Sequence, residues 1–209
     1  MPIITTTSLR LPALYSLENS DNTGGPSIPY LCNEKWHISA STLPIWRTKR
    51  NCTVTYTALP LEAPISRLNS LTAYLPSILA PVPSPPLPRI DDLVHYQEQT
   101  SDAVQSIHAI NTMWPDNPAG WSWVGVGWFL SLIQCEWEIF GYGKLEGGGN
   151  WMVMHFRKTW LSPEGLDLFT TGEEKLSAQA YEEIMGLVRK LGNGELEALV
   201  GEFERMARD

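Results

Sequence analysis

Four side chains in the second half of the chain have the chemistry of an acid–base site: Glu138, Tyr142, His155 and Arg157. All lie in segments otherwise rich in Trp, Val, Ile and Phe. In EWEIFGYG, strict alternation places Phe140 and Tyr142 on the face of Glu136 and Glu138. In WMVMHFRK, His155 and Arg157 share a face with Trp151 and Val153. A carboxyl or imidazole among apolar neighbours can be tuned toward neutral pH and act as general acid or base. Tyr142 could hydrogen-bond a carbonyl, and Trp123 and Trp137 could stack on a flat or extended apolar substrate. His95 alternates with Val94 and Tyr96, and His108 shares a face with Val104 and Ile110. A few polar groups among aromatics suit binding and orientation of a small molecule. Each residue also has a structural reading. A lone strand histidine more often completes a hydrogen-bond network. Glu136 and Glu138 read as outward and solvated, because charged residues are rarely buried unpaired. The tryptophans are mainly packing residues, and a slip of one residue reverses every face.

The element that positions these groups is a tryptophan-rich block, Trp121 to Trp160. It holds Trp121, Trp123, Trp128, Trp137, Trp151 and Trp160, six of the chain's nine tryptophans. Aromatic and β-branched content predicts three antiparallel strands, 121–131, 134–142 and 150–160, the last two joined by Gly147-Gly148-Gly149. Gly125 and Gly127 beside Trp121 and Trp123 point to a strongly curved sheet. Alternation adds strands at 35–42, 51–59, 91–99, 103–113 and 165–171, about eight in all. That number fits a small closed antiparallel barrel. Ser66–Leu79 has short-helix spacing, and the proline-rich run that follows excludes a central strand. Tyr181, Ile184, Val188 and Leu191 form one helical stripe; Leu196, Leu199, Val200, Phe203 and Met206 form another. The expected organisation is an N-terminal extension (1–34), a β-barrel (35–172) with an insertion at 60–89, and C-terminal helices packed on the barrel (173–209).

Composition narrows the function. A net charge of −8 argues against nonspecific nucleic-acid binding, which needs clustered Lys and Arg. No run approaches the roughly 20 apolar residues of a membrane span, and the N-terminus lacks a signal-peptide pattern. Three cysteines fit reduced thiols and a cytoplasmic setting. There is no Gly-x-Ser-x-Gly elbow or P-loop, and Gly125-Val126-Gly127 lies inside a strand rather than before a helix. His37, His95, His108 and His155 share no short ligand spacing, so no metal site is expected. A haem could still use a single histidine.

Eight or so antiparallel strands, Trp36 at the start of the first and a C-terminal helix resemble the lipocalin and fatty-acid-binding (calycin) group, over residues 33–192. In lipocalins a Gly-x-Trp motif opens the first strand and a late arginine packs over that tryptophan. Here Trp36 holds the first position and Arg157 is the candidate cation. Residue 34 is Glu34 instead of glycine, and Arg157 falls in the seventh strand. The Trp-rich block is further similar to fungal lipocalin-like proteins associated with small-molecule biosynthesis. The resemblance implies a cavity for a small, mostly apolar molecule, lined by candidates Trp36, His95, His108, Trp123, Trp137, Phe140 and Trp151. Beside it stand Glu138, Tyr142, His155 and Arg157 as catalytic candidates. It also implies cofactor-independent cyclisation or isomerisation, a Diels–Alder ring closure being one case, because such chemistry needs substrate folding and water exclusion more than a nucleophile. A noncatalytic lipid or metabolite carrier and a nitrobindin-like haem barrel are the alternatives. The sequence does not indicate an oligomeric state.

Overall fold

A computed structural model describes residues 3–16, 24–61 and 86–209. The expected helix at 66–79 and most of the 60–89 insertion lie outside the described residues. The chain forms β1 (Ile4–Leu9), α1 (Ile28–Cys32), β2 (Lys35–Ser41), β3 (Lys49–Ala58), β4 (Arg89–Glu98) and β5 (Val104–Met113). β6 (Gly120–Gly125), β7 (Gln134–Leu145), β8 (Asn150–Phe156) and β9 (Gly165–Thr171) follow. Two helices, α2 (Ala178–Arg189) and α3 (Gly194–Gly201), and the short β10 (Glu204–Arg205) end it.

Strands β2 to β9 pair antiparallel in order, and β9 pairs back onto β2. The result is a closed, eight-stranded antiparallel barrel with C-terminal helices, as the alternation predicts. Closure removes the open sheet edge. β1 is an addition within the N-terminal extension, where the sequence predicts no strand. It takes over the edge of β7 beyond the end of β6, pairing Ile4 with Leu145 and Leu9 with Gly141. Gly143 makes this approach possible: a Cβ there would sit 1.9 Å from the Thr5 carbonyl oxygen.

Period-two alternation separates two cores. Inside lie Trp36, Ile38, Val54, Tyr56, Ile90, Val94, Trp121, Trp137, Met154 and Phe169. Outside, Phe140, Trp151, Val153, Leu166 and Leu168 meet Ala180, Ile184, Met185 and Val188 of α2 and Leu196 and Val200 of α3. Ser177 caps α2 by accepting from the Ala180 amide at 3.1 Å, and Asn193 caps α3 from Leu196 at 2.9 Å. The second stripe ends earlier than its spacing implies. α3 stops at Gly201, and β10 pairs with Ser41 and Ala40 of β2.

The tryptophan block departs from the expected pattern in three places. β6 stops at Gly125, where the chain folds back so closely that a Cβ would lie 2.5 Å from the Leu130 carbonyl. β8 stops at Phe156. Trp128 and Trp160, expected in strands, therefore stand on loops and are 88% and 76% exposed. β7 also carries a bulge between Ile139 and Gly141. The extra residue turns Tyr142 toward the inner core, so it does not share the face of Glu138 and Phe140.

Candidate functional site: a barrel cavity with two buried acids

Helix α1 sits over the end of the barrel where β2 begins. Leu31 is fully buried there, and the Trp36 indole donates to its carbonyl at 2.9 Å. Tyr30 packs edge-on against Tyr142, and its hydroxyl lies 2.9 Å from the Gly143 carbonyl oxygen. Toward the other end a cavity of about 520 Å³ occupies the interior. Its wall is mostly apolar and aromatic: Trp46, Tyr56, Trp123, Trp137, Phe156 and Phe169, with Ile38, Val94, Ile107 and Met154. The loops after β2, β6 and β8 contribute Ile45, Leu130, Ile133 and Leu161 to its lining.

Two carboxyls enter this wall. Asp92 of β4 and Asp167 of β9 alternate with outward residues, so the register that turns Val94 and Phe169 inward turns them inward too. Asp92 Oδ2 accepts from Asn111 Nδ2 at 3.0 Å, and Asn111 Oδ1 accepts from the Trp137 indole at 2.8 Å. Among the described residues, Asp92 Oδ1 has no hydrogen-bond partner of good geometry. Burial pushes the Asp92 carboxyl up from 3.8 to about 7, against the pull of hydrogen bonds from Asn111 and Trp123. Asp167 accepts from Ser41 Oγ at 2.5 Å and from the Trp46 indole at 3.3 Å. Burial raises it too to about 7, with both hydrogen bonds opposing. The Tyr56 hydroxyl is pushed well up by burial, then by the charges of Asp92 and Asp167. Burial likewise raises the thiol of Cys135, at the cavity, to about 11, which leaves it a poor thiolate nucleophile.

The structure disperses the residues that sequence alone marked. Trp123 and Trp137 line the cavity, and Arg157 borders it. Arg157 pairs with Glu136 at 2.5 Å and lies 4.8 Å from the centre of the Trp114 ring, not over Trp36. Trp36 and Tyr142 point inward but belong to the end covered by α1. Trp151 and Phe140 face outward beneath the C-terminal helices. His95 and His108 also face outward; His108 Nε2 lies 2.6 Å from Asp91 Oδ1.

Glu138 and His155 sit opposite each other on β7 and β8, but on the outer wall. Both are buried, at 2% and 1% exposure, beneath the N-terminal segment. Glu138 is therefore outward as read, but not solvated. It accepts from the Ala13 amide and, at 2.7 Å, from Asn117, with Arg10 3.5 Å away. His155 Nε2 lies 2.6 Å from Glu164, which also accepts from Tyr15. Burial opposes ionisation of Glu164, yet the hydrogen bonds from Tyr15 and His155 outweigh it and hold its carboxyl below the usual range. This cluster fastens a strap to the wall. Glu138→Ala strands the buried ends of Arg10 and Asn117, at a cost of about 3 kcal/mol. Hydrogen exchange is expected to quicken at the Ala13 amide well before it does in the barrel strands; uniform quickening would mean the strap is not a separate unit.

Sequence reasoning missed Asp92, Asp167, Tyr56 and Trp46. The available signal was an aspartate inside a strand pattern, where that residue is depleted. No protein-family model matches the chain, and no curated protein sequence matches it significantly. No described helix is long and apolar enough to cross a membrane.

Proposed function

We propose that the barrel takes a small, largely apolar organic molecule into its cavity and catalyses a cofactor-independent cyclisation or isomerisation. The observation that carries this reading is the pair of buried carboxyls, each near pH 7, in an aromatic cavity of about 520 Å³. A cavity of this size and lining matches a small-molecule site. A group with a pKa near the working pH can both give and take a proton. In its neutral form Asp92 or Asp167 donates a hydrogen bond to a substrate carbonyl, polarising a conjugated system toward ring closure. In its ionised form it accepts a proton from carbon. The apolar wall folds the chain of the substrate and keeps water from the reacting atoms. The resemblance to fungal lipocalin-like proteins of small-molecule biosynthesis points the same way.

A carrier would use the same cavity without turnover. A histidine-ligated haem has weaker support, because none of the four histidines lines the cavity.

The test begins with native mass spectrometry of freshly purified protein, to identify any co-purifying organic molecule and use it as the substrate lead. Val94→Trp places a large ring in the cavity and is expected to abolish uptake and conversion. Glu138→Gln and His155→Ala, on the outer wall, are expected to leave conversion intact. Conversion that survives in a folded Val94→Trp protein would sink the cavity reading. Unchanged ligand released from a cavity-dependent complex would favour the carrier.

A further inference from the structure

The two buried acids carry a consequence for the class of ligand. Among the described residues that line the cavity, Arg157 is the one basic side chain, and it is already engaged by Glu136 at 2.5 Å and by the Trp114 ring. Among the described residues, Asp92 and Asp167 therefore face the cavity without a paired counter-cation; His108 and Asp91, on the outer face, act on Asp92 only at a distance and with opposite signs. Their hydrogen-bond donors are neutral: Asn111 and Trp123 for one, Ser41 and Trp46 for the other. Asp92 is 4% exposed, and among the described residues its Oδ1 has no hydrogen-bond partner of good geometry, although the Trp123 indole lies close enough to favour the charged carboxyl. An anion in such a site is costly unless a cation joins it. Around the acids are ring faces that attract cations: Trp46, Tyr56, Trp123 and Trp137. Tyr56, in the same wall, feels the charge of both acids.

Resting on the cavity reading above, we propose that the ligand carries a protonated amine, bound by Asp92 within the aromatic wall, with Asp167 as the second anion. The apolar remainder of the molecule fills the rest of the cavity. Binding converts a costly lone carboxylate into a paired one, so the amine contributes selectivity as well as affinity. A neutral ligand would instead leave the acids protonated and use them as hydrogen-bond donors, a different chemistry with an opposite preference.

Three probes of matched length separate these cases: decylamine, decanol and decanoate, each titrated against the tryptophan fluorescence of the full chain. Decylamine is expected to bind at least about tenfold more tightly than decanol above pH 7, a difference of about 1.4 kcal/mol, and decanoate most weakly. In Asp92→Asn the preference for the amine is expected to collapse while decanol binding persists, which also reports that the variant is folded. Decanol binding as tightly as decylamine to the wild-type protein, or a preference unchanged in Asp92→Asn, overturns the amine assignment and leaves the cavity reading standing. Failure of all three probes to bind overturns the cavity reading itself, and the assignment with it.

Discussion

Above pH 7, Asp167→Asn is expected to make the protein more stable. In the folded chain this carboxyl titrates at about 7, raised by burial from the ordinary 3.8. That net offset, with the hydrogen bonds from Ser41 and Trp46 already included, corresponds to roughly 4 kcal/mol of preference for the neutral form, and a buried asparagine keeps a desolvation cost of its own. The sign follows from the proton count. Below the unfolded value both states are protonated and there is no penalty. As pH rises toward about 7, the unfolded chain releases a proton that the folded chain still holds, so stability falls. Above the folded value the penalty is complete. Asparagine has no proton to release, keeps the shape, and can accept from Trp46 while donating to Ser41. The variant should gain about 2 kcal/mol above pH 7, several degrees in Tm, and little in acid. Asp92→Asn should behave alike, because burial raises Asp92 from the same value to about 7. Urea titrations across this pH range provide the check. A gap between variant and wild type that does not open with pH would mean that the acids are not buried as ionisable groups. A stabilised variant that has lost turnover would match a site kept at a cost to the fold.

Trp151→Ala should be the most damaging single truncation of the outer wall. The ring is fully buried beneath α2 and α3, and its indole donates to the Thr5 carbonyl at 3.1 Å. Removing it opens a cavity between sheet and helices and cuts the tie to β1. Loss of a buried Trp costs about 3–5 kcal/mol, a large part of a domain's stability. Ligand affinity should hardly change under conditions where the variant remains folded, because the ring is on the far side of the wall from the cavity. Equilibrium unfolding and probe titration on the same variant test both halves. A loss of affinity without a loss of stability would show that Trp151 acts on the site.

Much of the barrel was legible because alternation is a local signal. KWHISAS and NCTVTYTA each present one apolar face, and both pair as strands in the wall. The C-terminal stripes were legible for the same reason. β1 was not, because ITTTSL has weak contrast between its faces and exists as a strand only through the edge that β7 offers. The site was harder to read for two physical reasons. A bulge at Ile139–Gly141 breaks the period in the strand that carried more of the candidates than any other, and nothing in the local pattern announces it. Asp92 follows Asp91 and reads as half of a solvated pair, although the two point to opposite faces: one meets Asn111 inside, the other His108 outside. Asp167 lies between Leu166 and Leu168, so both faces of β9 look apolar and neither declares itself the inner one. The sign of a face is a property of the closed sheet, and no window of sequence contains it.

Along β8, Met152, Met154 and Phe156 look inward while Trp151, Val153 and His155 look outward. Neighbouring positions in the chain thus meet different physical demands. Changes at Met154 and Phe156 reshape the cavity wall. Changes at Trp151 and Val153 bear on whether the helices stay docked, and changes at His155 on whether the N-terminal strap does. On the proposed reading, one ligand is exchanged for another through substitutions on the inner face that leave the outer packing untouched, so a single strand separates specificity from stability residue by residue.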